Sequence, residues 1–461
     1  MAYYILKSYK LKIEPFQVFQ ALARQKNCFF LDSSLNKNSL GRYSFLGANP
    51  FRILKTKNEN PFPKLRSLLD KYKIDAPKNS PPFLGGALGY LSYDLGLMLE
   101  KKVESRPKED LKIPDCFFGF YNTVVTIDHL KQLLYIFSVG FPEINSRLAK
   151  SLCQSNFKKI CKLLSGIGAE NKCRGISGFK NNSSELKSDF SKEDYIAAIK
   201  KAKGYIKKGD IYQLNLSQRF QARTNLSDFQ IYKRLREISP SCFSAYFNAG
   251  GHQILSSSPE RFLSLEKDIV TTRPMKGTRP RGENKSQDAT LKKNLLTSAK
   301  DKAELMMIVD LERNDLGRVC SYDSVRAEAL RELEEYSTVF QTTATVSGRL
   351  HKNKDRVDLL RACFPGGSIT GCPKIRAMEI IEELEPTRRS VYTGCLGYAS
   401  FSGELDFNIL IRSILKKDDM LYFGVGGGIV ADSNPEEEYQ ETLVKARAMI
   451  AAINGEDVWK K

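Results

Sequence analysis

The chain has 461 residues, of which 41% are hydrophobic and 27% are charged. These fractions are close to the averages of soluble globular proteins, and they exclude disordered, collagenous and disulfide-scaffold classes. Lysine and arginine number 72 against 53 for aspartate and glutamate, so the formal net charge is +19. A basic balance of this size admits nucleic acid, an anionic membrane surface or small anionic substrates as partners.

The ten cysteines form no CxxC pair and no cluster with the three histidines, which argues against a zinc or redox site. Unpatterned cysteines in a Lys-rich chain that shows no signal peptide predict a cytoplasmic protein with reduced thiols. No stretch approaches the ~18 uninterrupted apolar residues that a spanning helix needs. We therefore expect no membrane segment.

Short apolar runs broken by turn signals fill the first 165 residues, and they predict a β-rich region with few long helices. Residues 166–190 are rich in Gly, Asn, Ser and Lys, a composition typical of a polar linker. We therefore predict an N-terminal region at 1–165, a linker at 166–190 and a C-terminal domain at 191–455.

Directly after the predicted linker, Ser191 and Asp194 have the spacing of a capping box. Apolar residues then recur on one helical face until Gly209, which predicts an amphipathic helix. Residues 211–220 alternate as a strand does, and helical and strand patterns interleave from there to the C-terminus. The C-terminal region is thus predicted to mix α and β structure.

Two pairs of acidic residues have the spacing that places both carboxylates on one face of a helix. Asp301 precedes Glu304 by three residues, and Glu438 precedes Glu441 by three. Acidic residues near a helix N-terminus are common, so either pair alone has a purely structural interpretation. Two pairs together suggest Mg²⁺, which prefers hard oxygen ligands and needs only one or two protein carboxylates.

Lys276 is bracketed by Pro274 and Gly277, a context that predicts a turn from which a lysine can project into a cleft. A lysine without such a context is usually a solvated surface charge. When it is desolvated beside other cations, its pKa falls and its amine becomes a nucleophile. Glu260 stands sixteen residues earlier, and its simplest alternative role is an ion pair with Arg261 or another neighbour.

Two segments, residues 364–374 and 424–428, are predicted to be glycine-rich loops that let backbone N–H groups approach an anion, although both could equally be tight turns. Neither matches a P-loop or a dinucleotide-binding fingerprint. Arg412 interrupts an apolar strand pattern. Its guanidinium therefore either points to solvent or is buried for a carboxylate partner.

Taken together, these segments resemble the chorismate-utilising enzymes, the family of anthranilate synthase component I, aminodeoxychorismate synthase component I, isochorismate synthase and salicylate synthase. The matching strings follow the family's order: GDIYQLNLSQRF (209–220), SSSPERF (256–262), RPMKGTRPRG (273–282), KDKAELMMIVDLERNDLGRVC (300–320), FPGGSITGCPKIRAMEII (364–381), YTGCLGY (392–398), IRS (411–413) and GVGGGIVADSNPEEEYQETLVKARAM (424–449). Weaker matches extend through the first 100 residues.

The resemblance implies an α+β fold of two intimately packed subdomains, with central antiparallel β-sheets and outer helices. It implies chorismate as substrate and Mg²⁺ as cofactor. By position, the direct metal ligands are Glu304 and Glu441, and the supporting carboxylates are Asp301 and Glu438. The residues that match substrate-binding positions are Arg412 and Tyr392 for the pyruvyl carboxylate, Gly427 and Gly428 for the other carboxylate, and Thr370.

Lys276 separates the members of the family. Anthranilate synthases usually read P-I-A-G-T in this segment and aminodeoxychorismate synthases P-I-K-G-T, whereas this chain reads P-M-K-G-T. The resemblance thus points to amination of chorismate at C4 for 4-aminobenzoate and folate synthesis, through a covalent Lys276 intermediate with Glu260 as general acid. Asn215, in YQLNL, fits the same pattern. The alternative is anthranilate synthesis.

Gln341 departs from the family pattern, which usually has a histidine at this place. Gln cannot exchange a proton in the physiological range as His can. In anthranilate synthases that histidine is tied to the lyase half-reaction, so Gln341 weakens the anthranilate alternative.

The chain has no G-x-C-x-G elbow of a class I glutaminase, so a separate glutamine amidotransferase subunit is expected to supply ammonia. Leu31-Asp32-Ser33-Ser34 stands where anthranilate synthases have L-L-E-S, which suggests a tryptophan site in the N-terminal region. The positive charge also allows a hypothesis of a different class, a nucleic-acid-binding protein. We expect no nucleic-acid partner, because no recognition motif accompanies the +19 charge.

Overall fold

The structure is a computed structural model that describes residues 2–35, 40–100, 103–104, 107–167, 185–336 and 339–455. The predicted linker at 166–190 falls largely outside the described residues, since 168–184 are not among them. Before that gap the elements are β1 (Tyr4–Lys10), α1 (Pro15–Leu22), β2 (Phe29–Asp32), β3 (Tyr43–Gly47), β4 (Arg52–Thr56), α2 (Phe62–Lys71), β5 (Gly86–Leu91), α3 (Asp94–Leu99), β6 (Cys116–Tyr121), β7 (Thr123–Asp128), β8 (Leu133–Val139) and α4 (Ser146–Ser165).

The elements after the gap also combine helices and strands. They are β9 (Lys187–Ser188), α5 (Lys192–Lys208), β10 (Gln213–Arg223), α6 (Asp228–Ile238), β11 (Phe243–Asn248), β12 (Gln253–Ser258), β13 (Arg261–Glu266), β14 (Ile269–Arg273), β15 (Met275–Pro280), α7 (Lys285–Thr297), α8 (Ala299–Gly317), β16 (Arg326–Glu335), β17 (Val339–Arg349), α9 (Arg356–Cys363), a 3₁₀ turn (Gly367–Ile369), β18 (Gly371–Cys372), α10 (Lys374–Leu384), β19 (Cys395–Ser400), β20 (Leu405–Ile409), β21 (Ser413–Lys417), β22 (Met420–Ile429) and α11 (Pro435–Asn454).

The strands form two antiparallel sheets, and each sheet contains strands from both sides of the predicted linker. The first has twelve strands in the order β1-β8-β7-β3-β2-β11-β12-β21-β22-β10-β18, with β9 paired to β10. The second has ten strands in the order β15-β17-β14-β13-β20-β19-β5-β6-β4, with β16 paired to β17. The N-terminal region therefore completes both sheets instead of forming a sheet of its own.

The two sheets pack face to face, with helices on their outer surfaces. Between them lies a core of aromatic side chains that includes Phe29 from the first sheet and Tyr90 from the second. A second core lies between the first sheet and helices α1, α4, α6 and α11. This arrangement is the predicted α+β fold with central antiparallel sheets and outer helices.

Local signals explain where two of the helices begin. The Ser191 hydroxyl accepts a hydrogen bond from the Asp194 amide at the start of α5, and Gly209 ends that helix with a φ of 81°. The Asn434 side chain caps α11, whose first residue is Pro435. The start of α5 was predicted from the sequence and is confirmed.

Membrane-spanning helices and disulfides were not expected from the sequence. Among the described residues, no helix is both long and apolar enough to cross a membrane. No disulfide joins the described cysteines.

Candidate functional site

A cavity of about 250 Å³ lies where one end of each sheet meets the first turns of α8 and α11. Every residue that lines it comes from the chain after the predicted linker. The predicted site residues on its lining are Glu260, Lys276, Asp301, Glu304, Tyr392, Arg412, Gly428, Glu438 and Glu441. The fold thus brings together residues that are up to 181 positions apart, from Glu260 to Glu441.

Lys276 lies in a strand, not in the turn that its sequence context predicted. It belongs to β15, where it pairs with Thr342 of β17, and the register shifts between Lys276 and Thr278. Gly277 forms this bulge with a φ of 71°, a conformation that favours glycine. A bulge turns the neighbouring side chain away from the regular strand direction. The glycine therefore does aim Lys276 into the cavity, by a bulge instead of a turn.

Lys276 is half-buried in the wall of the cavity. Its Nζ donates to the carbonyl oxygen of Ser368 at 3.4 Å. Burial lowers the pKa of Lys276, and the carboxylates of Glu304 and Glu260 act against this shift while Lys445 adds to it. A lysine with a lowered pKa has a larger neutral fraction, and only the neutral amine is a nucleophile.

Glu260 lies in the two-residue connection between β12 and β13 and is only 5% exposed. The ion pair with Arg261 considered from the sequence is wrong, because Arg261 binds Asp406 at 2.9 Å. Burial raises the pKa of Glu260 to about 7, against the opposing effects of a hydrogen bond from Ser368 and the charges of Lys276 and Arg412. A carboxyl with this pKa can give up a proton near neutral pH.

Arg412 lies in the short connection between β20 and β21, with a φ of 49°. Its carbonyl accepts a hydrogen bond from the Ser257 amide at 3.0 Å, which fixes the backbone of this connection. Burial lowers the pKa of its guanidinium, although Tyr336 and Glu260 partly compensate. Arg412 is thus half-buried and lines the cavity, although no ion pair joins it to a carboxylate of the described residues.

The glycines at 424–428 do not form the loop or turn considered from the sequence. They lie inside β22, which pairs with β10 along its length, so that Asn215 is opposite Gly428. On its other side β22 pairs with β21 only as far as Tyr422. In the part of the chain that the structure describes, this edge of the strand is thus open beyond Tyr422, and its backbone groups face no further strand.

Side chains occupy the space that a Cβ atom would need at two of these glycines. A Cβ on Gly424 would lie 2.4 Å from the ring of Tyr392. A Cβ on Gly428 would lie 2.5 Å from Gln213 Nε2 and 3.5 Å from Lys276 Nζ. Glycine at these positions lets Tyr392, Gln213 and Lys276 approach the strand.

Three of the four predicted metal-binding carboxylates form ion pairs with cations at the cavity. Asp301 binds Arg279 at 2.7 Å. Glu441 binds Lys445 at 2.7 Å, and this ion pair holds the pKa of Glu441 below its usual value despite burial. Glu438 accepts a hydrogen bond from Ser433 at 2.7 Å, and Lys300 lies 3.7 Å away.

Burial raises the pKa of Glu304 and of Glu438, and each feels the negative charge of neighbouring carboxylates. Within the described residues, no three His, Cys, Asp or Glu side chains already converge on one point as metal ligands. The donors are nevertheless all carboxylate oxygens on two facing helices. Their type and mutual repulsion fit a hard divalent cation such as Mg²⁺.

Two predicted substrate-binding residues are not among the residues that line the cavity. Thr370 is fully buried, and its hydroxyl donates to the carbonyl of Gly366 at 3.0 Å. Gly427 faces α11, where a Cβ would lie 3.2 Å from Glu438 Oε2. Thr370 therefore stabilises the glycine-rich loop, and Gly427 leaves room for the Glu438 carboxylate.

The Leu31–Ser34 segment does not line this cavity and begins in β2 of the first sheet. Asp32 accepts hydrogen bonds from Arg236 at 2.7 Å and from Tyr232 at 3.2 Å. Ser34 contacts Ser241. The polar side chains of this segment thus bind other parts of the protein, and the tryptophan site stays a prediction.

The cavity residues that the sequence reasoning missed include Arg279, Lys300, Ser368 and Lys445. Lys445 had a usable signal, since it stands four residues after Glu441 on one helix face. Ser368 had none beyond its place in a glycine-rich segment.

With this fold and this site, the chain belongs to the chorismate binding enzyme family, whose sequence profile matches residues 26–451. It is therefore an enzyme of that family. Among its relatives, anthranilate synthase component 1 of Acetivibrio thermocellus is 38% identical, over 95% of this chain and 92% of that protein. Aminodeoxychorismate synthase component 1 of Bacillus subtilis (strain 168) is 35% identical, over 95% and 94%.

The crystal structure of anthranilate synthase component I from Streptococcus pneumoniae TIGR4 is similar in fold as well as sequence. It superimposes with a TM-score of 0.78 at 31% identity, over 90% of this chain and 93% of that one. Relatives with both names therefore match nearly the full chain, and overall similarity does not decide between their reactions.

Proposed function

We propose that this protein is aminodeoxychorismate synthase component I, which replaces the C4 hydroxyl of chorismate with an amino group. The observation that carries the proposal is the half-buried Lys276 amine, which shares a cavity with the Glu260 carboxyl. Direct attack of ammonia at C2 followed by loss of pyruvate, as in anthranilate formation, has no use for such an amine.

Lys276 would act as nucleophile in its neutral form. Its amine attacks C2 of the ring, the two ring double bonds shift to C1=C6 and C4=C5, and the C4–O bond breaks. Ammonia then adds at C4, both double bonds shift back to C1=C2 and C5=C6, and the Lys276 nitrogen leaves C2. The sum is exchange of hydroxyl for amine at C4 with release of water.

Glu260 would protonate the departing C4 hydroxyl. Its pKa of about 7 makes the protonated form available at neutral pH. After the hydroxyl leaves as water, the carboxylate can accept a proton from the incoming ammonia. One buried carboxyl thus serves both halves of the exchange.

Chorismate is a dianion, and the cavity offers a positive group for each carboxylate. The Arg412 guanidinium would bind the pyruvyl carboxylate, with Tyr392 beside it. Backbone N–H groups on the open edge of β22 near Gly428 would bind the ring carboxylate together with the metal. Bound Mg²⁺, held by Glu304 and Glu441 with Asp301 and Glu438 in support, would neutralise substrate charge as a Lewis acid.

The ammonia is proposed to come from a separate glutamine amidotransferase subunit. The product would then pass to a lyase that makes 4-aminobenzoate for folate synthesis, and we place the enzyme in the cytoplasm. Tryptophan bound near Leu31–Ser34 is proposed as a further ligand. An acidic surface on the amidotransferase would complement the net charge of +19.

Anthranilate synthase component I is the second candidate, and one observation favours it: the 38% identical relative carries that name. Gln341 argues against it. The residue lies on the cavity, where its Nε2 donates to Thr278 at 3.3 Å, but an amide cannot exchange the proton that pyruvate elimination requires.

Product analysis separates the two candidates. The purified protein would be incubated with chorismate, Mg²⁺ and ammonium, and the products resolved by liquid chromatography with mass spectrometry. We expect 4-amino-4-deoxychorismate, which retains the pyruvyl group. Accumulation of fluorescent anthranilate with equimolar pyruvate would overturn the proposal in favour of the second candidate.

A further inference from the structure

One buried arginine joins two of the segments that line the cavity. Arg389 lies in the connection between α10 and β19, and its side chain is 1% exposed. Its Nη1 donates to the carbonyl of Ile369, in the glycine-rich loop between α9 and β18, at 2.8 Å. Its Nη2 donates to the carbonyl of Asn215 on β10 at 2.6 Å. Ile369 and Asn215 line the cavity and Arg389 does not, so the guanidinium holds the wall from behind.

A buried carboxylate fixes this guanidinium in turn. Glu385 accepts hydrogen bonds from Arg389 Nε at 2.9 Å and from Nη2 at 2.7 Å, which is the two-point geometry of an arginine–carboxylate pair. Its Oε1 also accepts from the amide and from the hydroxyl of Ser217, each at 2.8 Å. Ser217 lies two residues after Asn215 on β10. The guanidinium is therefore tied to β10 both directly and through Glu385.

The two segments that Arg389 joins meet at the proposed nucleophile. The carbonyl oxygen of Ser368, in the loop, accepts from Lys276 Nζ and from Asn215 Nδ2, each at 3.4 Å. The Asn215 amide donates to the Thr370 carbonyl of the same loop at 2.8 Å. A shift of the loop relative to β10 would therefore move the carbonyl that the Lys276 amine contacts.

We propose that Arg389 is a positioning residue for the attack of Lys276 on chorismate, because its guanidinium keeps the loop and β10 in the relative position that orients the amine. This inference deepens the proposed function and rests on it. Arg389 would touch neither substrate nor metal, so it acts through the Ser368 carbonyl and Asn215. A contribution to stability alone would leave the kinetics of the folded enzyme unchanged.

The first test is Arg389→Lys, which keeps the positive charge that the buried Glu385 carboxylate requires but loses the planar fork. An ammonium is a compact group that cannot reach Glu385, Ile369 and Asn215 in the geometry of the guanidinium. We expect kcat to fall about 10- to 10²-fold, the effect of a small misplacement of a reacting group. KM for chorismate should change little, because Arg412 and the metal-binding carboxylates are untouched.

The rate of covalent adduct formation measures the attack itself. Enzyme and chorismate are mixed without ammonia, the reaction is quenched in acid at successive times, and the intact protein is weighed by mass spectrometry. Attack of Lys276 with loss of the C4 hydroxyl as water adds the mass of chorismate less one water. We expect this adduct to form about 10- to 10²-fold more slowly in Arg389→Lys than in the native enzyme.

The matched control changes another arginine that binds a buried carboxylate at two points. Arg42 donates to Asp128 at 3.1 and 2.8 Å, and neither residue lines the cavity. Arg42→Lys should therefore leave kcat, KM and the adduct rate as in the native enzyme. A folded Arg389→Lys with native kcat and a native adduct rate would overturn the positioning role.

A second variant covers the case in which Arg389→Lys does not fold. The double variant Arg389→Met with Glu385→Leu replaces both members of the ion pair, so no lone charge is left buried, and the same losses are expected. The proposed function fails separately, when the native enzyme forms neither the adduct nor aminodeoxychorismate. The effect of Arg389 on kcat and KM can be measured with whichever product forms.

Discussion

The two walls of the cavity differ in how their charged side chains are compensated. On the acid wall, formed by Asp301, Glu304, Glu438 and Glu441, three carboxylates have a cation within 3.7 Å. On the reaction wall, formed by Lys276, Glu260, Arg412 and Ser368, burial moves the pKa of each ionisable group toward its neutral form. The acid wall is therefore suited to replace its lysine and arginine partners with a metal cation. The reaction wall is suited to transfer protons.

The largest loss of activity is expected when the nucleophile is removed from the reaction wall. We expect Lys276→Ala to lower aminodeoxychorismate formation by orders of magnitude, because no other amine on that wall can form the covalent intermediate. The rate is measured by chromatography of the products from chorismate and ammonium. Lys352→Ala, on an exposed loop, serves as control, and equal kinetics in the two variants would contradict the covalent role.

On the acid wall, Glu304→Gln and Glu441→Gln should abolish the turnover that depends on Mg²⁺. An amide keeps the shape of the side chain but loses the charge that a divalent cation requires. Isothermal titration with Mg²⁺ alone should show weakened binding, and turnover should no longer respond to the metal. Glu437→Gln changes an exposed acid of the same helix and should behave as the native protein. Native activity that persists in a chelator would refute the metal assignment.

Loss of the acid on the reaction wall should cost less than loss of the nucleophile. We expect Glu260→Gln to lower kcat about 10²- to 10⁴-fold, the usual contribution of a general acid. The native kcat should fall as pH rises through about 7, the pKa of Glu260, and the variant should lose this descending limb. A variant that keeps the limb would show that another group donates the proton.

The acid wall was easier to predict from the sequence than the reaction wall. Asp301 with Glu304 and Glu438 with Glu441 are local pairs, and helix periodicity alone places each pair on one face. Glu260 and Lys276 meet only because two strands of different sheets end at one cavity, and no local pattern encodes that contact. For Glu260 and Lys276, only the resemblance to a family predicted that they share one site.

The fold shows the same division. Helix α5 begins and ends at the predicted caps because those signals are local. The sequence suggested turns or loops at Gly277 and at residues 424–428, where the structure has a bulge and a strand. A glycine-rich sequence is found both in turns and in strands that other side chains approach closely, so the sequence alone does not distinguish them. Pairing of N-terminal strands into both sheets is a long-range property that no segment reveals by itself.

The smallest expected effect concerns the strand between the two walls. A Cβ on Gly428 would lie 2.5 Å from Gln213 Nε2 and 3.5 Å from Lys276 Nζ, so Gly428→Ala must displace Gln213 and narrow the space beside the amine. We expect about a tenfold loss in kcat/KM, about 1.4 kcal/mol in transition-state binding, with a native melting temperature.

Gly204 provides the matched substitution, since a Cβ there meets nothing within 4 Å and the residue lies inside α5. Gly204→Ala should leave the kinetics unchanged and stabilise the protein by about 0.5–1 kcal/mol through helix propensity. Steady-state kinetics with chorismate and thermal unfolding of both variants test the pair. Equal kcat/KM in the two variants would mean that a methyl group at position 428 fits beside Lys276 without affecting the reaction. The close approach of β22 to the reaction wall would then have no role in catalysis.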